Sequence, residues 1–274
     1  MLAESNSTIP SEMEFQLFQV LIEEKLGIYL PEQKRALVGS RLWKRLNARR
    51  LTSFTDYYKL ISTPAEKQEL ETALELITTN ETYFFREPQH FDFLRDRVLP
   101  NIKDNASVRI WSAACSSGEE LYSIAMLLSE ELTGYWEIMG SDANKSMLSL
   151  ASRGIYLDQR TDRIPPQLRK KYCRKGIREE TGNLRMVPEL RSKVKLMQIL
   201  LHEPLPEIGE FDVVFLRNVM IYFDDVVRKK VVSQILERIK KGGYLFIGHS
   251  ESLHGIKLPL AVVQPSIYMK SDAL

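Results

Sequence analysis

Up to about Leu76, apolar residues recur three and four positions apart: Phe15, Phe18, Leu21 and Ile22, then Val38, Leu42 and Leu46, then Leu70, Leu74 and Ile77. That period predicts a run of short helices, punctuated by turn signals at Gly27 to Pro31 and at Thr63-Pro64. From Val108 the pattern changes. Short apolar runs (VRIWSA, WEIMGSD, FDVVFLRNV, GGYLFIGHS) alternate with helical segments (EELYSIAMLLSEEL, KSMLSLASRG, DDVVRKKVVSQILERIKK). Such a succession builds an α/β fold, a doubly wound sheet of mostly parallel strands. The reading divides the chain into a helical N-terminal domain (1–76), a linker (77–88) and a sheet domain (89–274). Between Arg153 and Lys195 the alternation lapses, and the apolar runs LRMV and VKLM predict a small antiparallel β insertion at about 170–198.

Composition narrows the chemistry. The 38 Lys plus Arg against 36 Asp plus Glu leave a charge of +2, too little for bulk attraction to nucleic acid or anionic lipid. Cys115 and Cys173 are far apart without a CxxC pair, which excludes a disulfide framework and the usual zinc spacing; with four histidines, no metal is expected. No apolar stretch is long enough to span a membrane, and the first residues lack a signal-peptide pattern, so a cytoplasmic location is expected.

The exit of the first strand, Ala113-Ala-Cys-Ser-Ser-Gly118, is a turn of small residues that lets backbone approach a ligand, followed at once by Glu119 and Glu120. It is neither a dinucleotide fingerprint nor a P-loop, and acidic residues at the helix entrance repel a pyrophosphate. The next strand ends at Asp142, which suits a ribose diol or, as the plainer alternative, an N-cap for the following helix. A small-residue turn, an acid beside it and a strand-end acid without phosphate features match S-adenosylmethionine, a cofactor with a sulfonium cation, an amino group and a ribose.

Four segments then carry a specific resemblance: Asn80 to Glu87 (NETYFFRE), Arg109 to Ala125 (RIWSAACSSGEELYSIA), Phe211 to Phe223 (FDVVFLRNVMIYF) and Gly242 to Ser252 (GGYLFIGHSES). Together they resemble the chemotaxis receptor methyltransferase (CheR) family over about residues 12 to 270. The resemblance implies a Rossmann-like methyltransferase sheet and methyl esterification of glutamate side chains on the cytoplasmic helices of chemoreceptors, with S-adenosylhomocysteine as product. It assigns cofactor contacts to Asn80, Thr82, Arg86, Glu119, Asp142, Arg217 and Asn218. Ile199-Leu200-Leu201 stands where members often carry Asn-Leu-Leu, so a side-chain amide contact near the adenine is lost and the backbone contacts of Ile199 and Leu200 are those expected to remain.

A glutamate acceptor is ionised at neutral pH and needs no general base, which leaves alignment and exclusion of water as the work of the site. Arg86 offers a fork for a carboxylate of cofactor or substrate, or for a structural acid. Tyr222 is placed to steer the acceptor, or else packs in the core. Phe84, Phe85, His249 and Cys115 read as structural.

From Gln33 to Arg50 there are basic residues and no acidic one, and Lys34, Arg41, Lys44 and Arg45 share a helical strip beside Val38, Leu42 and Leu46. With the resemblance, the strip points to docking on an acidic receptor bundle. Gly176, Gly182 and Arg185 match positions that in some members grip a receptor C-terminal pentapeptide by strand addition. The expected state is a monomer. A methyltransferase of RNA or a small molecule, and a non-catalytic cofactor- or receptor-binding module, are the rival readings.

Overall fold

Ser11 opens the first helix, α1 (Glu12–Leu26), with a reciprocal cap. Its hydroxyl accepts the Glu14 N–H and the Glu14 carboxylate accepts the Ser11 N–H, which satisfies two amides that the first turn leaves unpaired. Helices α2 (Arg35–Ala48), α3 (Phe54–Ile61) and α4 (Lys67–Ile77) follow. Phe15, Phe18, Ile22, Val38, Leu42 and Leu46 are wholly buried, as their spacing predicts. The computed structural model describes residues 8–102, 107–256 and 258–271. The chain forms two compact units: residues up to Thr79 with Tyr222–Asp224, and Asn80–Ile221 with Asp225–Leu274.

Within the helical unit the basic residues of α2 divide into two kinds. Lys34 and Lys44 are exposed. Arg45 instead makes a forked bond to Glu69 of α4 at 2.8 and 2.5 Å, and Glu69, 5% exposed, also accepts the Tyr57 hydroxyl at 2.8 Å. Arg41 donates to the carbonyls of Ile77 and Thr78 at the end of α4, groups that the helix cannot pair itself. The expected four-cation strip is thus corrected to two exposed cations. A planar, weakly hydrated guanidinium matches a buried carboxylate or paired carbonyls, whereas an ammonium keeps its water.

The second unit begins with the short helix α5 (Pro88–Phe93). It continues through β1 (Val108–Ser112), α6 (Glu119–Glu131), β2 (Trp136–Asp142), α7 (Lys145–Arg153) and β3 (Ile155–Leu157). Then come α8 (Pro166–Tyr172), β4 (Cys173–Lys175), β5 (Asn183–Met186), α9 (Pro188–Arg191) and β6 (Val194–Gln198). The chain closes with β7 (Phe211–Leu216), α10 (Asp225–Glu237), β8 (Ile239–Ile247), β9 (Leu260–Gln264) and β10 (Ile267–Lys270). Seven strands form one sheet in the order β6-β2-β1-β7-β8-β10-β9. Neighbours from β6 to β8 are parallel, and β10 runs antiparallel to β8 and β9. The order reverses between β1 and β7, and in such sheets the crevice for a ligand opens at the carboxyl ends of the strands at that point.

A second sheet, β3-β5-β4, is antiparallel and takes in Leu184 to Met186 of the LRMV run. The VKLM run does not belong to it. Val194–Gln198 is β6, the edge of the large sheet, with Val194 opposite Ile138. Val194 and Leu196 are half-buried while Lys195 and Met197 are exposed, an alternation that an edge strand shows whichever sheet it joins. Helix α6 is covered on more sides than an amphipathic reading implies, since Leu121 through Leu128 are all buried. The β9–β10 hairpin is a further feature that strand-and-helix alternation does not announce.

Arg45 sets the first prediction. Arg45→Ala strands the buried Glu69 carboxylate and is expected to lower stability by about 2 kcal/mol, discounted from the deep-burial range because Arg45 is one-third exposed; Lys44→Ala should be near neutral. Arg45 holds the Glu69 carboxyl below its ordinary range. That stability is therefore present above the unfolded pKa of about 4.3 and lost as pH falls through the lower folded value, so Arg45→Ala should flatten the acid limb. Urea titrations at pH 7 and pH 3 read both effects.

Candidate active site

The turn after β1 is tight because two residues adopt the left-handed region, Ser116 at φ 48° and Gly118 at φ 96°. A Cβ on Gly118 would stand 2.9 Å from the Ala151 Cβ and 3.0 Å from the Tyr156 hydroxyl, so α7 and β3 leave room only for glycine. The Tyr156 hydroxyl donates to the Ser117 carbonyl at 2.8 Å. Asp142, at the end of β2, straps the turn down: its carboxylate accepts the N–H groups of Ser116 at 2.8 Å and Asn144 at 2.9 Å. Burial pushes its carboxyl above the usual range, against the pull of those donors. The N-cap reading of Asp142 is corrected, because the side chain that caps α7 is Asn144, which accepts the Met147 N–H at 3.1 Å.

Segment 80–87 is laced across these strand ends. The Asn80 carbonyl accepts the Ser116 hydroxyl at 3.2 Å, the Phe85 N–H donates to the Ser123 hydroxyl at 2.9 Å, and the Arg86 carbonyl accepts Arg217 Nη2 at 2.5 Å. Thr82 is half-buried, with only a long 3.5 Å contact from Arg160 to its carbonyl. Phe84 is wholly buried edge-on against Tyr156, and Phe85 packs on Phe91, in keeping with their structural reading. The Arg86 guanidinium donates to the Glu81 carbonyl at 3.0 Å and lies 5.5 Å from the Tyr83 ring centre. Among the described residues no carboxylate pairs with it.

Two expected contacts are engaged internally. Glu119 is fully buried; the Ser117 hydroxyl donates to it at 2.6 Å, Arg160 pairs with its other oxygen, and burial raises its pKa. Its carboxylate is thus paired within the protein, so the expected contact to the cofactor is shared with Ser117 and Arg160. The Arg217 side chain, 2% exposed, lies 3.0 Å from Glu87 and 2.8 Å from Glu120, and Glu120 also accepts the Ser112 hydroxyl at 2.6 Å. Only the Arg217 backbone is left for a ligand. Ile199 is buried and its N–H is taken by the Asp142 carbonyl at 3.2 Å, while the Leu200 carbonyl accepts the Glu203 N–H.

Glu251 is a functional anchor that spacing does not reveal. Its carboxylate accepts Asn218 and Gly248 N–H groups at 2.8 and 2.7 Å on one oxygen and the Met220 N–H at 2.8 Å on the other. It thereby ties the loop after β7, where Asn218 has φ 57°, to the loop after β8. A Cβ on Gly248 would come within 2.5 Å of the Asn218 side chain, so the two loops touch. Tyr222 groups with the helical unit, where its carbonyl accepts the Tyr29 N–H at 2.8 Å. His249 donates its backbone N–H to Glu87 at 3.2 Å, and Cys115 is a buried filler against Gly140.

On the small sheet, Gly176 and Gly182 flank the connection from β4 to β5. A Cβ on Gly176 would fall 2.0 Å from the Glu180 carbonyl oxygen, and Gly182 has φ 91°, so the backbone alone accounts for both glycines. Arg185 is exposed on the central strand β5. A groove of about 280 Å³ is lined there by Ile155, Lys175, Ile177, Asn183 and Arg185.

The fold and site define a class: a doubly wound α/β domain with a crevice at its switch point, a strand-end acid, a guanidinium that no carboxylate among the described residues neutralises, and no phosphate-loop sequence. These donors fit S-adenosylmethionine, which presents a carboxylate, cationic groups and a ribose but no phosphate; the Glu119 and Arg217 side chains are the expected partners engaged within the protein. Residues 80–269 match the family model described as CheR methyltransferase, SAM binding domain, and residues 13–78 match CheR methyltransferase, all-alpha domain. The chain belongs to the CheR methyltransferase family. It is 35% identical over 263 residues to the chemotaxis protein methyltransferase of Borreliella burgdorferi, covering 92% of each chain. It is 34% identical over 265 residues to that of Escherichia coli, covering 95% of this chain and 92% of the other. Chemotaxis protein methyltransferase 2 of Pseudomonas aeruginosa is 38% identical over 257 residues, covering 92% and 91%. The family, the α/β fold with its helical N-terminal domain, the cofactor and a methyltransferase activity in chemotaxis are thus borne out, which sets aside the non-catalytic, RNA and small-molecule readings.

Glu251→Gln turns a donor toward backbone donors and leaves buried N–H groups unpaired. It should cost about 1–3 kcal/mol. Amide exchange at Asn218 and Met220 should accelerate beyond that of β1 amides; equal protection would show that the loops hold without the carboxylate.

Proposed function

We propose that the protein esterifies glutamate side chains on the cytoplasmic helices of chemoreceptors, acting in the cytoplasm as a monomer. The observation that supports this most is the Arg86 guanidinium, half-buried beside the strand ends and without an acid of its own among the described residues. S-adenosylmethionine, when bound, supplies an activated methyl group. Arg86 serves the cofactor carboxylate or orients the acceptor carboxylate, and Asp142 presents the strand-end acid to the ribose. Asn80, Thr82, Ile199, Leu200, Arg217 and Asn218 contribute through backbone and half-buried polar groups, with Glu119 acting through Ser117 and Arg160. The acceptor arrives ionised, so no residue has to remove a proton. What the chain provides is alignment and exclusion of water, worth roughly 7–11 kcal/mol when geometry is right. Tyr222 is assigned to steering the acceptor.

The docking role of the basic strip passes to Lys34 and Lys44, the exposed pair. The β3-β5-β4 sheet has two edge strands, and its groove at Gly176 and Arg185, beside the turn at Gly182, suits an extended receptor C-terminal pentapeptide added as a strand.

Incubation with labelled S-adenosylmethionine and chemoreceptor cytoplasmic fragments should give base-labile label on glutamate; base-stable label, or none, would reject the assignment. In the same assay Tyr222→Phe should keep cofactor affinity within a few-fold while losing turnover. Parallel losses of binding and turnover would make Tyr222 a packing residue.

Docking by exposed charge is screened over a Debye length of about 8 Å at physiological salt. Lys34→Ala with Lys44→Ala should raise receptor KM and flatten the rise of KM with salt, with cofactor affinity unchanged. A wild-type KM and salt response would leave the two lysines as solvated surface.

A further inference from the structure

Three side chains from two separate stretches converge beside the Arg217 ion pairs. Glu87 precedes α5, His90 lies on it, and His249 stands in the loop after β8; one ligand atom of each lies within 4.8 Å of the others. Glu87 Oε2 is 3.5 Å from His90 Nδ1 and 3.8 Å from His249 Nε2. His90 is 1% exposed and its Nδ1 has no hydrogen-bond partner, while Glu87 Oε2 lies 3.0 Å from Arg217 Nη2 as an ion pair.

The tautomer of His90 follows from its other nitrogen. Nε2 is 2.7 Å from the Ser266 hydroxyl, which donates its own hydrogen to the Pro265 carbonyl at 2.6 Å and so accepts from His90 Nε2–H. Nδ1 therefore carries a lone pair aimed at a carboxylate oxygen. The charge count points the same way. One guanidinium, Arg217, serves two carboxylates, Glu87 and Glu120, leaving one negative charge over in a buried cluster.

We propose that Glu87, His90 and His249 form a binding site for a divalent transition-metal ion, with Zn²⁺ as the fitting occupant. Two imidazoles and a carboxylate are a zinc donor set, with a fourth position open where His249, 45% exposed, meets solvent. The hydrogen bond from His90 Nε2–H to Ser266 is the outer-shell contact that orients a metal-binding imidazole. The two distances from Glu87, 3.5 and 3.8 Å, already match the spacing of ligands around one ion at about 2.0–2.2 Å, and the three ligand atoms, all within 4.8 Å, close on the ion by rotation of the exposed His249 ring. The ion would fasten α5 to the loop after β8, and no step of methyl transfer passes through it.

The test uses the full chain, stripped with a chelator and titrated with Zn²⁺ against a chromophoric chelator. One equivalent should bind, with a rise in thermal midpoint. Substituted Co²⁺ should give visible four-coordinate bands without a thiolate charge-transfer band. His249→Ala, on an exposed side chain, should abolish the one-equivalent site while circular dichroism stays unchanged, and Ser266→Ala should weaken it roughly 10–100-fold. Absence of stoichiometric binding in the wild type, binding unchanged in both His249→Ala and Glu87→Gln, or a thiolate band each overturns the site.

Discussion

The sheet domain depends on one buried cation. Arg217, delivered by the end of β7, reaches Glu120 at the start of α6, Glu87 before α5 and the carbonyl of Arg86. Three segments far apart in sequence are thereby joined at the carboxyl ends of the strands. A buried guanidinium without partners is strongly destabilising, so the native arrangement of all three is tied to satisfying this charge. Ser112 adds a further bond to Glu120. The crevice is therefore walled by a polar network built before any ligand arrives, and Arg86 keeps its own guanidinium outside that network.

Backbone strain is gathered at the same place. Phe85, Glu87, Ser116 and Asn218 all take positive φ, a conformation that costs a non-glycine residue of order 1–3 kcal/mol. Two carboxylates offset that cost. Asp142 holds the turn after β1 and Glu251 holds the loop after β7, each through several backbone N–H groups. Both are acids whose burial raises their pKa, which is tolerable because oriented amide dipoles solvate the charge. Such a site presents fixed backbone and leaves little to reorganise during methyl transfer.

In the helical unit the same principle separates residues that look alike in sequence. Arg41 and Arg45 are spent on the end of α4 and on Glu69, whereas Lys34 and Lys44 remain at the surface. Among these four residues, internal pairing engages the arginines and leaves the lysines exposed.

The sequence by itself determined the helical unit, the strand-and-helix alternation and the small-residue turn with its strand-end acid, because period and local turn chemistry act between near neighbours. Four long segments carried the family. Only the tertiary structure decided that VKLM joins the large sheet and that Asn144, not Asp142, caps α7. It also decided that Glu119 and Arg217 turn inward, and that Glu87, His90 and His249 meet. Each of these rests on which charge or edge is desolvated against which distant partner. Burial of that kind is a property of the packed chain, and no spacing along the sequence encodes it.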